Sequence, residues 1–194
     1  MKTIITLLFS MVLFLNVGNA QNGADEIQEM LNERDAEIKE LLGPKGNEYT
    51  QEQRDRLKNI INDVIDFRSM SETALGDTYT EISEEKREEF VSLFSTIIRD
   101  NSLNRLDIYR AEVTYNGITV ENGTAEVKTM AQMDNVRTSV DYDMELQDGE
   151  WQIIDMSIDD VSTAESYRRQ FQSIIRQRGF DALLESLRRR AARA

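Results

Sequence analysis

The chain has 194 residues, of which 40% are hydrophobic and 30% are charged, and it contains one proline, no cysteine and no histidine. The missing residue types exclude disulfide scaffolds, cysteine nucleophiles, histidine acid–base chemistry and the usual zinc sites. The chain has 36 acidic and 23 basic residues, so its net charge is −13, which opposes nucleic-acid binding. The length and the apolar content predict one folded domain with a proper core.

The first twenty residues have the pattern of a secretory signal peptide. Lys2 precedes an apolar run over residues 4–15, and small residues at Gly18 and Ala20 favour cleavage after Ala20. A run of about twelve apolar residues is shorter than the roughly twenty that a membrane-spanning helix needs. We therefore expect residues 1–20 to be a signal peptide and residues 21–194 to form a single exported domain.

Hydrophobic spacing in the next part of the chain is that of helices. Four helical segments are predicted before any strand: residues 25–42, a segment opened by a capping box at Thr50 and Gln53, residues 67–75, and a segment capped by Ser83. Near the end of the chain, a second capping box at Ser162 and Glu165 opens another helix. Gly179 separates that helix from a final one.

From Tyr109 onward the hydrophobic period changes to that of strands. The alternation predicts four strands in hairpin order, and it slips at Asn116-Gly117 and at Ile153-Ile154, which indicates a bulge or a tight turn. We predict an α+β fold, in which helices pack on one face of a four-stranded twisted antiparallel sheet. The pattern alone does not distinguish a filled core from a cavity.

Motifs for catalysis or nucleotide binding are absent from the sequence. The nine glycines form no phosphate-binding pattern, and a serine triad cannot be built without histidine. Two acidic pairs, Asp141/Asp143 and Asp159/Asp160, are candidates for calcium binding or acid–base catalysis. Their positions on a strand and beside a turn favour a solvated surface instead.

Arginines are concentrated at the end of the chain. From Tyr167 onward there are eight arginines and two acidic residues, a net charge of +6, whereas the rest of the exported domain carries −20. One interpretation is a solvated helix with cations near its C-terminus, where the helix dipole favours them. The other is a patch that binds phosphate or an anionic membrane surface.

Two ordered series of residues carry a family pattern. The first comprises Asp66-Phe67, Met70, Leu75-Gly76, Ser83, Arg87, Phe90 and Phe94. The second comprises Asp148-Gly149-Glu150-Trp151, Asp155, Val161-Ser162, Tyr167-Arg168-Arg169-Gln170-Phe171, Gly179 and Leu187. This succession resembles the MlaC family of periplasmic phospholipid-binding proteins, also called toluene-tolerance proteins. The chain departs from the family pattern at Tyr79, where Trp is expected, and at Asp160, where Gly is expected.

The resemblance implies a soluble periplasmic phospholipid carrier rather than an enzyme. Such a protein moves lipid between an outer-membrane lipoprotein complex and an inner-membrane ABC transporter, and so helps to maintain outer-membrane lipid asymmetry. It implies no catalytic residue, metal or cofactor, since phospholipid is the cargo. It also implies an apolar cavity between the sheet and its helices.

Under this interpretation we expect thirteen apolar or aromatic residues to line the lipid site, although each also fits ordinary core packing. On the sheet they are Val113, Tyr115, Val127, Val140, Tyr142, Met144, Trp151 and Ile153. Facing them from the helices are Phe90, Phe94 and Ile97, with Tyr167 and Phe171 on the closing helix. Arg168 is expected to pair with Asp155, or else to reach a head-group phosphate.

Two other classes of function stay open at this point. One is a small cavity-containing α+β enzyme, such as an isomerase, in which Asp155 acts with Tyr142 or Tyr167 inside an apolar pocket. The other is an exported adaptor that binds proteins through its acidic face.

Overall fold

The computed structural model describes residues 15–46, 49–103 and 106–193, so most of the predicted signal peptide lies outside the described residues. The helices are α1 (Leu15–Leu42), α2 (Gln51–Val64), α3 (Phe67–Leu75), α4 (Thr78–Glu81), α5 (Glu84–Leu103), α6 (Thr163–Arg178) and α7 (Phe180–Ala191). The strands are β1 (Glu112–Glu121), β2 (Thr124–Met133), β3 (Val136–Gln147), β4 (Glu150–Ile158) and β5 (Val161–Ser162). This arrangement confirms the predicted α+β fold.

Capping residues fix several helix boundaries. The predicted capping box that opens α2 is complete, because the Thr50 and Gln53 side chains each bond to the backbone of the other residue. At α6 only half of the predicted box forms, in which the Ser162 hydroxyl accepts from the Glu165 amide at 3.0 Å. The start of α1 differs more, since this helix begins at Leu15 rather than at residue 25. Residues 15–24 lack the apolar period on which the prediction depended.

The sheet is an antiparallel meander in the order β1-β2-β3-β4-β5. Five strands replace the predicted four, because β5 spans only two residues and is too short to show a period. Both predicted slips are bulges. One lies in β1 between Tyr115 and Gly117, and the other leaves Ile154 as an extra residue in β4.

The segment before β1 corrects another expectation. Leu106–Arg110 forms a 3₁₀ turn, so Tyr109 lies outside the sheet. The Arg110 side chain explains why the sheet does not extend into this turn. Its guanidinium donates to the carbonyl oxygens of Leu42 at 3.2 Å and Gly43 at 2.6 Å. These bonds hold the turn against the end of α1, whereas a sequence pattern registers only the alternation.

Two hydrophobic clusters form the interior. The helical cluster joins residues of α1, α2, α3, α5, α6 and α7 and includes Phe90, Phe94 and Phe171. The sheet cluster consists of buried Ile27, Ala125, Val127, Met144 and Ile153, together with the partly buried apolar residues around them. Its position shows that α1 covers one face of the sheet.

Helix α1 contributes buried residues to both clusters. Ile27 is fully buried against the sheet, with Met30 and Leu31 beside it. Ile38 and Leu42 are buried in the helical cluster. The apolar spacing that predicted this helix therefore reflects two contacts in succession, first with the sheet cluster and then with the helical cluster.

Candidate functional site

Most of the sheet residues predicted to line a lipid site lie together. Tyr115, Tyr142 and Trp151 pack around the buried side chains of the sheet cluster. The buried members Val127, Met144 and Ile153 complete this group. Val113 and Val140 are partly buried and lie outside the cluster. The structure thus brings six of the eight predicted sheet residues to one apolar face.

The predicted helical lining residues lie elsewhere. Phe90, Phe94, Ile97, Tyr167 and Phe171 all belong to the helical cluster. The Phe94 ring is 5.0 Å from Tyr167 and 5.6 Å from Phe171, both edge to face, which is favourable aromatic packing. The α5 aromatics pack on α6 and on one another, and a cavity between them and the sheet residues stays a prediction. Their contact with lipid stays a prediction.

The sequence interpretation did not assign α1 to this site. Ile27, Met30 and Leu31 contact the sheet cluster. A Cβ placed on Gly23 would lie 3.3 Å from Val120 Cγ1 and 3.4 Å from Trp151 Cζ2, so this part of the helix rests directly on β1 and β4. The apolar stripe of α1 was visible in the sequence, but a stripe does not say which surface it meets.

The polar groups on this face are neutral near pH 7. Burial, with a smaller contribution from the Asp35 carboxylate, raises the pKa of Tyr115 to about 12. Burial also raises the pKa of Tyr142, with smaller effects from Tyr109, Tyr115 and Asp35. Both phenols are therefore protonated at any physiological pH, and they add no charge to an apolar surface.

Trp151 carries an unusual polar atom. Its indole Nε1 is shielded from solvent and has no hydrogen-bond partner in the described part of the chain. An unpaired buried donor costs free energy, so most buried indoles find an acceptor. This nitrogen lies on the side chain that contacts Gly23, at the junction of α1 and the sheet.

Asp155 has a structural role that differs from the predicted one. Its Oδ1 accepts from the Ala164 amide at 3.0 Å and from the Met156 amide at 2.8 Å, and its Oδ2 accepts from the Ser162 hydroxyl. The predicted Asp155–Arg168 pair is replaced by these bonds, which fix the start of α6 to β4. The Asp155 carboxylate lies close to the first turn of α6, which favours these bonds over a pair with the Arg168 guanidinium.

Arg168 lies at a polar surface hollow instead. Its guanidinium pairs with Glu165 at 3.0 Å and lies against Gly76, where a Cβ would be 2.9 Å from Arg168 Nε. The hollow has a volume of about 430 Å³ and is lined by Ser69, Glu72, Thr73, Gly76, Asp77, Thr80 and Arg168. This polar lining does not suit acyl chains.

For the enzyme alternative, the described residues show Asp155 engaged in structural bonds and not paired with Tyr142. The two oxygens of Asp155 are bonded to the start of α6 and to its own strand, and in the sheet Tyr142 is opposite Met156, with Asp155 opposite Asp143. The acidic pairs also serve local structure, since Asp141 accepts from the Thr129 amide and Asp159 from the Ser139 amide. Among the described residues, no group of three or more acidic side chains is arranged to hold a metal ion.

No helix in the described ranges combines the length and the apolar character needed to cross a bilayer.

Comparison with known proteins places this fold. Among solved structures, it is similar to the phospholipid-binding protein from Ralstonia solanacearum, determined in complex with a phospholipid, with a TM-score of 0.74 and 21% identity over 88% of this chain and 97% of that chain. That likeness concerns the fold. A search of curated proteins gives no significant match. The family model for the MlaC protein matches residues 21–189. Because the match spans most of the chain, this protein belongs to the MlaC family.

Proposed function

We propose that the protein is a periplasmic phospholipid carrier that binds lipid acyl chains on the apolar face of its sheet. The observation that supports this most directly is the sheet cluster, an apolar surface of β1 to β4 that is covered by α1 and by Val64 and Ile65 at the end of α2. The similar fold of a protein solved with a bound phospholipid gives independent support.

The energetics explain why such a carrier is needed. Each methylene group moved from an apolar environment into water costs about 0.8 kcal/mol, so two acyl chains with roughly thirty methylenes cost about 24 kcal/mol. A protein surface that replaces the membrane removes most of this cost without covalent chemistry. Neither a metal nor a cofactor is required, because the reaction is transfer of an intact lipid.

The route is part of the proposal. In this function the carrier exchanges lipid with an outer-membrane lipoprotein complex and with an inner-membrane ABC transporter, and it reaches the periplasm through a signal peptide cleaved after Ala20. Family membership supports this route. The lipid-binding step can be tested separately from it.

Native mass spectrometry of the purified protein tests the lipid-binding step. We expect a bound diacyl phospholipid after export and purification, or after incubation with phosphatidylglycerol vesicles. Recovery of only lipid-free protein under both conditions would overturn the proposal.

A pair of variants locates the site. Val127→Trp fills the sheet face and should reduce lipid occupancy at least about tenfold, since the added ring takes the volume that a chain needs. Lys128→Trp is the matched control, because adjacent strand residues point to opposite faces and Lys128 is exposed. Val140→Trp, at a partly buried position, is the milder substitution. Equal occupancy in folded Val127→Trp and Lys128→Trp would place the lipid elsewhere.

A further inference from the structure

The two halves of α1 are held in different ways. At its C-terminal end, Leu41 O accepts from Gln53 Nε2 at 2.7 Å, and the Leu42 and Gly43 carbonyls accept from Arg110. Ile38 and the two leucines of this end are buried in the helical cluster. Polar bonds and core packing together fix residues 38–42.

The other half of the helix has no such polar attachment. Within the described residues, no hydrogen bond or ion pair joins residues 21–31 to the sheet, and the Gln21 side chain bonds to Asp25 of the same helix. The contact depends on Ile27, Met30 and Leu31. Apolar contact is non-directional, so the hydrocarbon of a lipid chain can replace these side chains without leaving a sheet hydrogen bond unmade.

The surface beneath this half has a polar group suited to a lipid. Trp151 Nε1 is a buried donor with no acceptor among the described residues, and its side chain lies where Gly23 approaches β4. A glycerophospholipid has ester carbonyl and phosphate oxygens, which accept hydrogen bonds, next to its acyl chains. One such oxygen would satisfy the indole, which the apolar side chains of α1 do not.

We propose that residues 21–31 of α1 form a movable cover over the phospholipid site, and that lipid enters by displacing this half of the helix while residues 38–42 stay docked. The inference rests on the proposed function and adds to it the entry step and the element that moves. Chain cleavage at the predicted site after Ala20 would make this cover a free helix end.

Weakening the cover should speed lipid entry. Ile27→Ala removes the fully buried contact with the sheet and should raise the rate of uptake from phosphatidylglycerol vesicles, followed with a fluorescent phospholipid, by about tenfold or more. Ile38→Ala is the matched control, because it makes the same truncation in the same helix but within the helical cluster. Uptake that is no faster in Ile27→Ala than in Ile38→Ala would overturn the inference.

Locking the cover should have the opposite effect. The chain has no cysteine, so the double variant Gly23→Cys/Val120→Cys introduces the only possible disulfide, and Val120 Cγ1 lies 3.3 Å from a Cβ on Gly23. The oxidised form should take up lipid at least about ten times more slowly, and a reductant should restore the rate. The two single variants control for the substitutions themselves.

The outcomes separate this inference from the proposed function. If the unmodified protein takes up no lipid, the proposed function fails. If it does, and the oxidised double variant takes up lipid at the same rate, only the cover is wrong. Should the two cysteines fail to pair, as judged by mass spectrometry, the comparison of Ile27→Ala with Ile38→Ala decides the matter.

Discussion

Asp155 fixes one end of a helix through a single buried side chain. Its carboxylate accepts from the Met156 amide of its own strand, the Ser162 hydroxyl and the Ala164 amide. The Ala164 amide lies in the first turn of α6, where backbone donors have no partner within the helix. The sequence pattern identified Asp155 and Ser162 as members of one series but did not show that they bond to each other. Residue types predict what a group can do, whereas its partner depends on the register of β4 and on the position of α6.

We predict that Asp155→Ala lowers the free energy of unfolding by about 2–4 kcal/mol, because one buried and two partly buried hydrogen bonds to a carboxylate are lost together. Urea denaturation followed by circular dichroism measures this change. Asp63→Ala, at an exposed position on α2, should change stability by less than about 0.5 kcal/mol. Similar values for the two variants would contradict the role assigned to Asp155.

Trp151 gives a second prediction at this scale. Trp151→Phe keeps an aromatic ring but removes the unpaired indole N–H, so it should weaken phospholipid binding by about 1 kcal/mol, or roughly fivefold, through loss of one hydrogen bond. Without lipid, Trp151→Phe should lower the free energy of unfolding by less than the removal of a hydrogen-bonded donor would, because the indole N–H forms no bond with the described residues that could be lost. Titration with a phospholipid below its aggregation concentration gives the affinity. An unchanged dissociation constant would show that the indole does not contact the lipid.

Strands β2, β3 and β4 bring like charges together at the element scale. Asp143 is opposite Glu126 on one side and Asp155 on the other. Burial raises the pKa of Asp143, and the negative charges of Asp155, Glu126 and Asp141 raise it further. A raised pKa in the folded state means that ionisation of Asp143 destabilises the fold above that pKa.

Asp143→Asn should therefore stabilise the protein at pH 7, by only about 0.5 kcal/mol, because Asp143 is only partly shielded and solvent screens its interactions. The gain should disappear below pH 3.8, where the carboxyl is protonated in both the folded and unfolded states. Urea unfolding at pH 7 and at pH 3 tests both statements. Asp141→Asn should instead destabilise, because Asp141 lies opposite Lys128 and accepts from the Thr129 amide. A larger gain at pH 3 than at pH 7 would contradict the argument.

Elements with enough residues to show a period, or with a characteristic turn dipeptide, were the predictable ones. The helix over 67–75 and the turn at Asp148-Gly149 occur where expected, and the aspartate has the positive φ of 51° that such turns require. Short elements such as α4 and β5 contain too few residues for a period. The departure at Asp160 has a structural meaning, because this residue has φ +62°, a conformation that glycine adopts without strain.

At the scale of the whole molecule, the division into two clusters was beyond the reach of the pattern. Phe94 and Val127 both read as core residues, and both are fully buried. They nevertheless belong to different clusters, because α5 packs among helices whereas β2 packs under α1. Periodicity gives the buried face of each element but not the element that this face meets, so the predicted cavity between the α5 aromatics and the sheet stays a prediction.

The charge distribution leads to a prediction for the entire chain. With a net charge of −13, self-repulsion destabilises the compact state, while the exposed ion pairs contribute little. Raising NaCl from low concentration to about 0.15 M should therefore raise the melting temperature by about 3 °C at pH 7, which corresponds to roughly 1 kcal/mol. Near pH 4.5, the isoelectric point of the sequence, the same salt should have no stabilising effect. A fall in melting temperature with salt at pH 7 would show that the ion pairs dominate.

The packing of Ile27 on the sheet also has a consequence for the protein without bound lipid. If the apolar face of the sheet were exposed to water, it would promote self-association and the non-specific binding of other hydrophobic molecules. By packing there, the first helix keeps these side chains out of water. Under the proposed function, it would leave the sheet only when a lipid chain replaces its apolar contacts.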